Sequence, residues 1–165
     1  MIRLYTWSTP NGRKVSILLE ELGLDYEVFP VNITRDEQFD PAFLAVSPNN
    51  RIPAIVDTDN GTALMESGAI LLYLASKCDG RFIPADEPGR WTMMQWLMWQ
   101  MGGFGPMLGQ AHHFLHFNPG KSAYAEQRYG TEARRLYGVL ERRLVEAPWL
   151  AGEAYTLADI ATWPW

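Results

Sequence analysis

Val15, Leu18, Leu19 and Leu22 fall at the spacing that lines one face of a helix. That helix sits between two short apolar runs, Ile2 to Trp7 and Asp25 to Val31, and is bounded by Thr9-Pro10-Asn11-Gly12 before it and Gly23 after it. Two strands joined by about a dozen helical residues predict a right-handed parallel crossover, a βαβ unit. Asp40-Pro41-Ala42-Phe43-Leu44 then places an N-cap and a first-turn proline at one short helix. Pro53 to Val56 and Thr62 to Met65 flank Asn60-Gly61, the turn pair of a tight antiparallel hairpin. A further helix is expected from Ser67 to about Lys77, with Ile70, Tyr73 and Leu74 on one face.

The order βαβ, short helix, ββα is that of a thioredoxin-like domain, expected over residues 1–78. Asp79 to Gly89, with Gly80, Pro84, Pro88 and Gly89, reads as a polar linker. Beyond it only helical spacing remains, from Trp91 to Met101 and from Tyr124 to Glu146, where Tyr129, Ala133, Leu136, Leu140 and Leu144 recur. Residues 90–165 therefore predict a helical bundle, and the fold class is α/β plus all-α. Thr156-Leu157-Ala158-Asp159 has the pattern of a capping box, with Tyr155 and Ile160 placed to form the hydrophobic staple. The helix it opens has barely two turns before Trp165, so the helical domain is expected to be truncated at its C-terminus.

Cys78 is the single cysteine, which excludes an intramolecular disulfide, a CxxC pair and a zinc finger, and points to a reducing compartment. A net charge of −5 without a Lys/Arg run argues against nucleic acid or an anionic membrane as partner. The first strand begins at residue 2, leaving no room for a signal peptide, and no apolar run approaches the roughly 18 residues of a membrane span. A soluble, cytoplasmic protein is expected. Trp and Met crowd the stretch from Trp91 to Met107; most of it reads as core, and part can face a ligand, since Met adapts to varied shapes.

The segments richest in chemistry are Ser47-Pro48-Asn49-Asn50-Arg51-Ile52-Pro53 and Glu66-Ser67-Gly68. They bring exposed backbone and a helix N-terminus to one sheet edge, an arrangement suited to a small peptide. Pro53 cannot donate an N–H; with a cis bond before it, the Ile52 N–H and C=O would face outward and pair with an extended ligand. The same dipeptide also reads as a trans proline opening an edge strand. The positive end of the helix at Ser67 suits a carboxylate, although a serine there also serves as a plain cap. Glu66 beside an anion site fits a ligand that also carries a cation. Thr9 and Asn11 offer donors at a helix start and read equally as turn residues. His112, His113 and His116 lack a carboxylate or thiol to complete a metal set, so no metal site is predicted and they are expected to support a pocket.

Ile-Pro before a hairpin and Glu-Ser opening the next helix, in a thioredoxin-like half joined to a helical half, resemble the cytosolic glutathione transferases. Thr9-Pro10-Asn11-Gly12, Ser47-Pro48-Asn49-Asn50 and Gly102-Gly103-Phe104-Gly105-Pro106-Met107-Leu108-Gly109-Gln110 are similar to motifs of the bacterial Nu-class members and of the related yeast nitrogen-regulator domain. In that family the fold continues for several more helices.

The resemblance implies that glutathione is the cofactor. Ile52, with Pro53 behind it, would bind the cysteinyl backbone; Glu66 would accept from the α-amino group, and Ser67 would donate to the γ-glutamyl carboxylate. Thr9 and Asn11 would stabilise the thiolate and so carry catalysis, with Tyr5 and Ser8 as rival hydroxyls. Gln38 matches a glutathione-contacting position, Arg51 could face the glycyl carboxylate, and Arg128 matches an arginine that reaches into the neighbouring subunit, implying a homodimer. The implied activity is glutathione:disulfide exchange or transfer to a small electrophile, with a peroxidase variant open. A non-catalytic binding or regulatory module is the alternative.

Overall fold

The computed structural model describes residues 1–165. They form two compact units, residues 1–83 with Pro164, and residues 84–163 with Trp165.

The first unit is a four-stranded mixed sheet with helices, in thioredoxin-like order. Strands β1 (Ile2–Thr6), β2 (Tyr26–Pro30), β3 (Ala54–Asp57) and β4 (Thr62–Met65) lie in the order β2-β1-β3-β4. β1 pairs parallel with β2, and β3 runs antiparallel to both β1 and β4. Helix α1 (Pro10–Leu22) follows β1, α2 (Pro41–Leu44) precedes the hairpin, and α3 (Ser67–Lys77) follows it. Val15, Leu18, Leu19 and Leu22 of α1 are buried, as are Ile70, Leu71, Leu74 and Ala75 of α3, and the two helices pack together.

Local chemistry explains the boundaries. The Thr9 hydroxyl accepts from the Gly12 N–H at 3.2 Å, Pro10 starts α1, and Gly23 at φ 69° ends it. Gly12 is required by close approach: a Cβ there would lie 2.4 Å from Thr6 Oγ1 and 2.6 Å from the Trp7 carbonyl. Gly61 takes φ 75° at the hairpin turn, and Asn60 Oδ1 accepts from the Thr62 N–H. Two expectations shift. Asp40 occupies the α2 N-cap position, but its side chain makes no capping bond. The ladder begins at Ala54 and not Pro53, because proline has no N–H to contribute.

Asp57, fully buried at the far end of the sheet, anchors a polar network. Its Oδ2 accepts from Tyr73 Oη at 2.6 Å and Lys77 Nζ at 2.9 Å, and its Oδ1 accepts from the Asp59 N–H at 3.0 Å. Burial alone would raise this carboxyl, but the bonds from Tyr73 and Lys77, the Asp59 N–H and the Lys77 charge outweigh it and hold it at about 2. A depressed carboxyl stabilises the fold above its unfolded value of 3.8, and that contribution is lost as pH falls towards 2. Asp57→Asn is expected to cost about 2 kcal/mol near neutral pH. It should also flatten the acid limb of stability, read as the urea midpoint between about pH 2 and 6. An acid limb unchanged in the variant would refute this role.

The second unit is helical: α4 (Glu87–Trp99), α5 (Gly105–His112), α6 (Ala123–Glu146) and α7 (Leu157–Thr162). Helix α4 starts inside the stretch read as linker, because Asp86 accepts from the Gly89 N–H at 2.8 Å and Pro88 sits in the first turn. Helix α5 was hidden by its glycines and proline. It is joined to α4 by a wide π turn over Gln100–Phe104, in which the Gly105 N–H reaches back to the Gln100 carbonyl, and a second π turn spans His113–Phe117. Phe104, Leu108 and Leu136 form a core with Trp99, Met107, Leu140 and Trp165 around it. The Trp165 ring lies 3.4 Å from where a Cβ on Gly105 or Gly109 would stand, so these glycines provide a flat seat for the indole. Part of the Trp/Met stretch lies outside the core: Trp91 is 62 % and Met98 47 % exposed. No helix is long and apolar enough to cross a membrane.

Candidate functional site

Strand register brings the chemistry of the first unit to one sheet edge. Tyr5 pairs with Phe29 on one side and Ala54 on the other, and Ala54 pairs with Met65. Neighbouring strands stand about 4.8 Å apart, so the segments leaving this row emerge side by side. They are the Trp7–Asn11 turn beyond β1, the loop towards Gln38 beyond β2, Ile52-Pro53 before β3, and Glu66-Ser67 beyond β4.

At the α1 start the Thr9 hydroxyl accepts from Gly12, which leaves its own O–H to donate outward. Asn11 is half-buried in the first turn and Ser8 is exposed. Tyr5, the other rival hydroxyl, belongs to the core: its ring stacks 5.1 Å from Phe29, lies 6.1 Å from Phe43, and packs against Val31 and Ala54.

The Ile52-Pro53 bond is cis. Pro53 is buried and Ile52 half-buried, and because pairing starts at Ala54 the Ile52 N–H and C=O lie outside the ladder. The preceding loop is held from within: Ser47, fully buried, donates to the Arg51 carbonyl at 2.8 Å, and the Asn50 N–H donates to the Ser47 carbonyl at 2.8 Å. Arg51 itself is exposed.

Glu66 caps α3 with φ 71°, yet its side chain makes no capping bond, so the carboxylate is not consumed by its own helix. Ser67 is buried at the first position of α3. Lys14, on the α1 helix that packs against α3, is 1 % exposed, a burial its residue type does not announce. Burial pushes its ammonium down to about 7, while the Glu66 carboxylate pulls it back up. Its signal was position: Lys14 lies four residues before Leu18, on the apolar stripe of α1.

Gln38, read as a solvated loop amide or a ligand contact, is buried in a short 3-10 turn. Its Nε2 donates to Asp36 Oδ1 at a long 3.4 Å, and its Oε1 is buried with no partner in the chain. An acceptor so placed favours a ligand that brings an N–H. Arg128 is in the helical unit, exposed on α6, where with Met107, Tyr124 and Glu132 it lines a groove of about 620 Å³. The three histidines are exposed, with the His112 ring 6.2 Å from His116, and no group of three or more His, Cys, Asp or Glu is placed to hold a metal ion. Cys78 is half-buried at the end of α3.

Comparison with known proteins identifies the scaffold. Residues 4–82 match the glutathione S-transferase N-terminal domain, and residues 104–165 match the glutathione S-transferase C-terminal domain. Disulfide-bond oxidoreductase YfcG of Escherichia coli is 54 % identical over 170 residues, covering 100 % of this chain and 79 % of that protein. A glutathione transferase from Burkholderia graminis, solved with two glutathione molecules per subunit, is 48 % identical with TM-score 0.94, over 99 % of this chain and 70 % of that one. One from Pseudomonas putida, solved with a glutathione disulfide per subunit, is 46 % identical with TM-score 0.92, over 99 % and 73 %. By these matches the chain belongs to the glutathione S-transferase family.

Proposed function

We propose that this chain binds glutathione along the Phe29–Tyr5–Ala54–Met65 row and uses its thiol to reduce small disulfides. The convergence of the α1 start, Ile52-Pro53 and Glu66-Ser67 on that row carries the reading. The relatives solved with glutathione or its disulfide, and the disulfide-bond oxidoreductase at 54 % identity, support it.

Each residue has a distinct task. The Ile52 N–H and C=O, held by buried Pro53, take the cysteinyl backbone as an added antiparallel strand. Glu66 accepts from the ligand's α-amino group, while Ser67 and the α3 N-terminus take the γ-glutamyl carboxylate. Gln38 Oε1 accepts a ligand N–H, and Arg51 faces the glycyl carboxylate. Thr9 and Asn11 donate to the sulfur, favouring the thiolate of a thiol whose free pKa is about 8.5. In a homodimer Arg128 would complete the neighbouring subunit's site. Two glutathione thiols then reduce one disulfide: the bound thiolate opens the S–S bond to a mixed disulfide, and the second thiol resolves it, leaving glutathione disulfide and two thiols. The lone Cys78 cannot form a dithiol pair within the chain, so the bound tripeptide supplies the reducing sulfur. The reducing cytoplasm is the matching compartment.

The test is glutathione titration by calorimetry, combined with steady-state reduction of a small disulfide by glutathione. Binding with turnover is expected. Binding without turnover would replace the enzyme with a regulatory module, turnover of an electrophile alone would make it a transferase, and no binding would end the reading.

A further inference from the structure

Ser47 is fully buried, and its backbone and side chain are both engaged. Its N–H donates to the Phe43 carbonyl of α2 at 2.8 Å, its carbonyl accepts from the Asn50 N–H at 2.8 Å, and its hydroxyl donates to the Arg51 carbonyl at 2.8 Å. Pro48 takes the second position of the turn that the Ser47–Asn50 bond closes, and Asn50, at φ 46°, bends the chain back so that Arg51 meets the hydroxyl. The Arg51–Ile52 peptide is trans, since the cis bond lies one residue later. In a planar trans unit the C=O and the N–H point in opposite directions. The buried hydroxyl holds one end of the unit inward, so the Ile52 N–H at the other end points away from it. That N–H has no partner within the chain. The Ile52 side chain packs on the Val31, Phe43 and Ala54 cluster, which restrains the same residue from its other side.

Resting on the glutathione reading above, we propose that Ser47 is a positioning residue for the cysteinyl anchor: its buried hydroxyl holds the Arg51–Ile52 peptide so that the Ile52 N–H is aimed at the cysteinyl carbonyl. Ser47 does not touch the ligand in this arrangement; it acts through one peptide unit. Its effect is confined to that bond, because the reciprocal bond, from the cysteinyl N–H to the Ile52 carbonyl, uses the next unit, which Pro53 holds. Without the hydroxyl the Arg51 carbonyl can turn towards water, and the Ile52 N–H turns with it, since the two are rigidly linked. Glutathione must then order that unit as it binds.

A cycle of protein against ligand tests the coupling. Two ligands are titrated by calorimetry into wild type and Ser47→Ala, with thermal unfolding as a check on folding. One is glutathione; the other is its analogue with an E-alkene in place of the cysteinyl–glycyl amide, which has no carbonyl to accept from Ile52. The alkene should bind wild type about tenfold more weakly than glutathione. Ser47→Ala is expected to weaken glutathione about tenfold and the alkene no more than about twofold. In turnover, Ser47→Ala should raise KM for glutathione and leave kcat at saturation near the wild-type value. A hydroxyl that only braces the loop predicts equal losses for the two ligands. That result would overturn the proposal, as would no loss for glutathione, an alkene that binds wild type as tightly as glutathione, or a fall in kcat at unchanged KM. If Ser47→Ala does not fold, Ser47→Cys, close in size and a weak donor, replaces it in the cycle. Wild type that fails to bind glutathione would overturn the underlying reading and this proposal together; wild type that binds, with an uncoupled cycle, overturns Ser47 alone.

Discussion

Asn11→Ala is expected to lower kcat/KM for glutathione-driven disulfide reduction by roughly 10- to 100-fold, the loss typical of one preorganised donor to a developing or resident anion. The sign of the pH effect follows from the same bond. A donor to sulfur favours the thiolate, so its removal raises the apparent thiol pKa by about one to two units and moves the rising limb of the rate profile to higher pH. Wild type and variant should converge at alkaline pH, where the thiol ionises unaided. Asn11 is a cleaner probe than Thr9, whose hydroxyl also caps α1 and whose removal would cost about 1 kcal/mol of stability as well. Equal rates for Asn11→Ala and wild type across the pH range would sink the assignment.

Asp159→Ala should be the most damaging single change to the helical unit. The Asp159 carboxylate is buried and accepts three bonds: from the Leu150 N–H at 2.8 Å, the Thr156 N–H at 2.9 Å and the Thr156 hydroxyl at 3.0 Å. Thr156 Oγ1 in turn accepts from the Ala158 N–H, which closes the capping box and ties the Leu150 loop to α7. Alanine would leave two backbone donors buried without acceptors and a space where the carboxylate stood, a loss of about 3–5 kcal/mol. Asp159→Asn keeps one acceptor oxygen but turns an NH2 towards a donor, so it should fall between alanine and wild type. Urea unfolding of the three proteins checks the order; a midpoint for Asp159→Ala within error of wild type would disprove the claim.

Much of this was legible in the chain because local chemistry and global fold agree. Pro10 and Gly23 bound α1, Asn60-Gly61 closes the hairpin, α3 runs from Ser67 to Lys77 as expected, and Thr156-x-x-Asp159 forms the capping box its spacing announces. What the pattern hid has physical reasons. Gly102, Gly103, Gly105 and Pro106 look like helix breakers, yet the π turn absorbs Gly102 and Gly103, Pro106 falls in the first turn of α5, and Gly105 faces Trp165. Glu87 to Gly89 look like linker because proline and glycine signal both loops and helix starts, and the Asp86 cap decides between them. Lys14 reads as a surface charge in composition, and its burial is set by tertiary packing. Gln38 reads as a loop amide for the same reason: exposure is set by tertiary neighbours, which no local pattern encodes.

A peptide seated on the Phe29–Tyr5–Ala54–Met65 row would touch segments that meet only because the strands are in register. Such a ligand is a reversible crosslink. It ties the turn before α1 to the loop before β3 and to the start of α3, connections the unfolded chain must otherwise close at an entropic cost. At a concentration 100 times its Kd it would add about 2.7 kcal/mol to the folded state. If the row binds the tripeptide as proposed, the register that assembles it makes the surrounding thiol pool a variable in the folding equilibrium of the domain, and depletion of the tripeptide would loosen the protein as well as starve it.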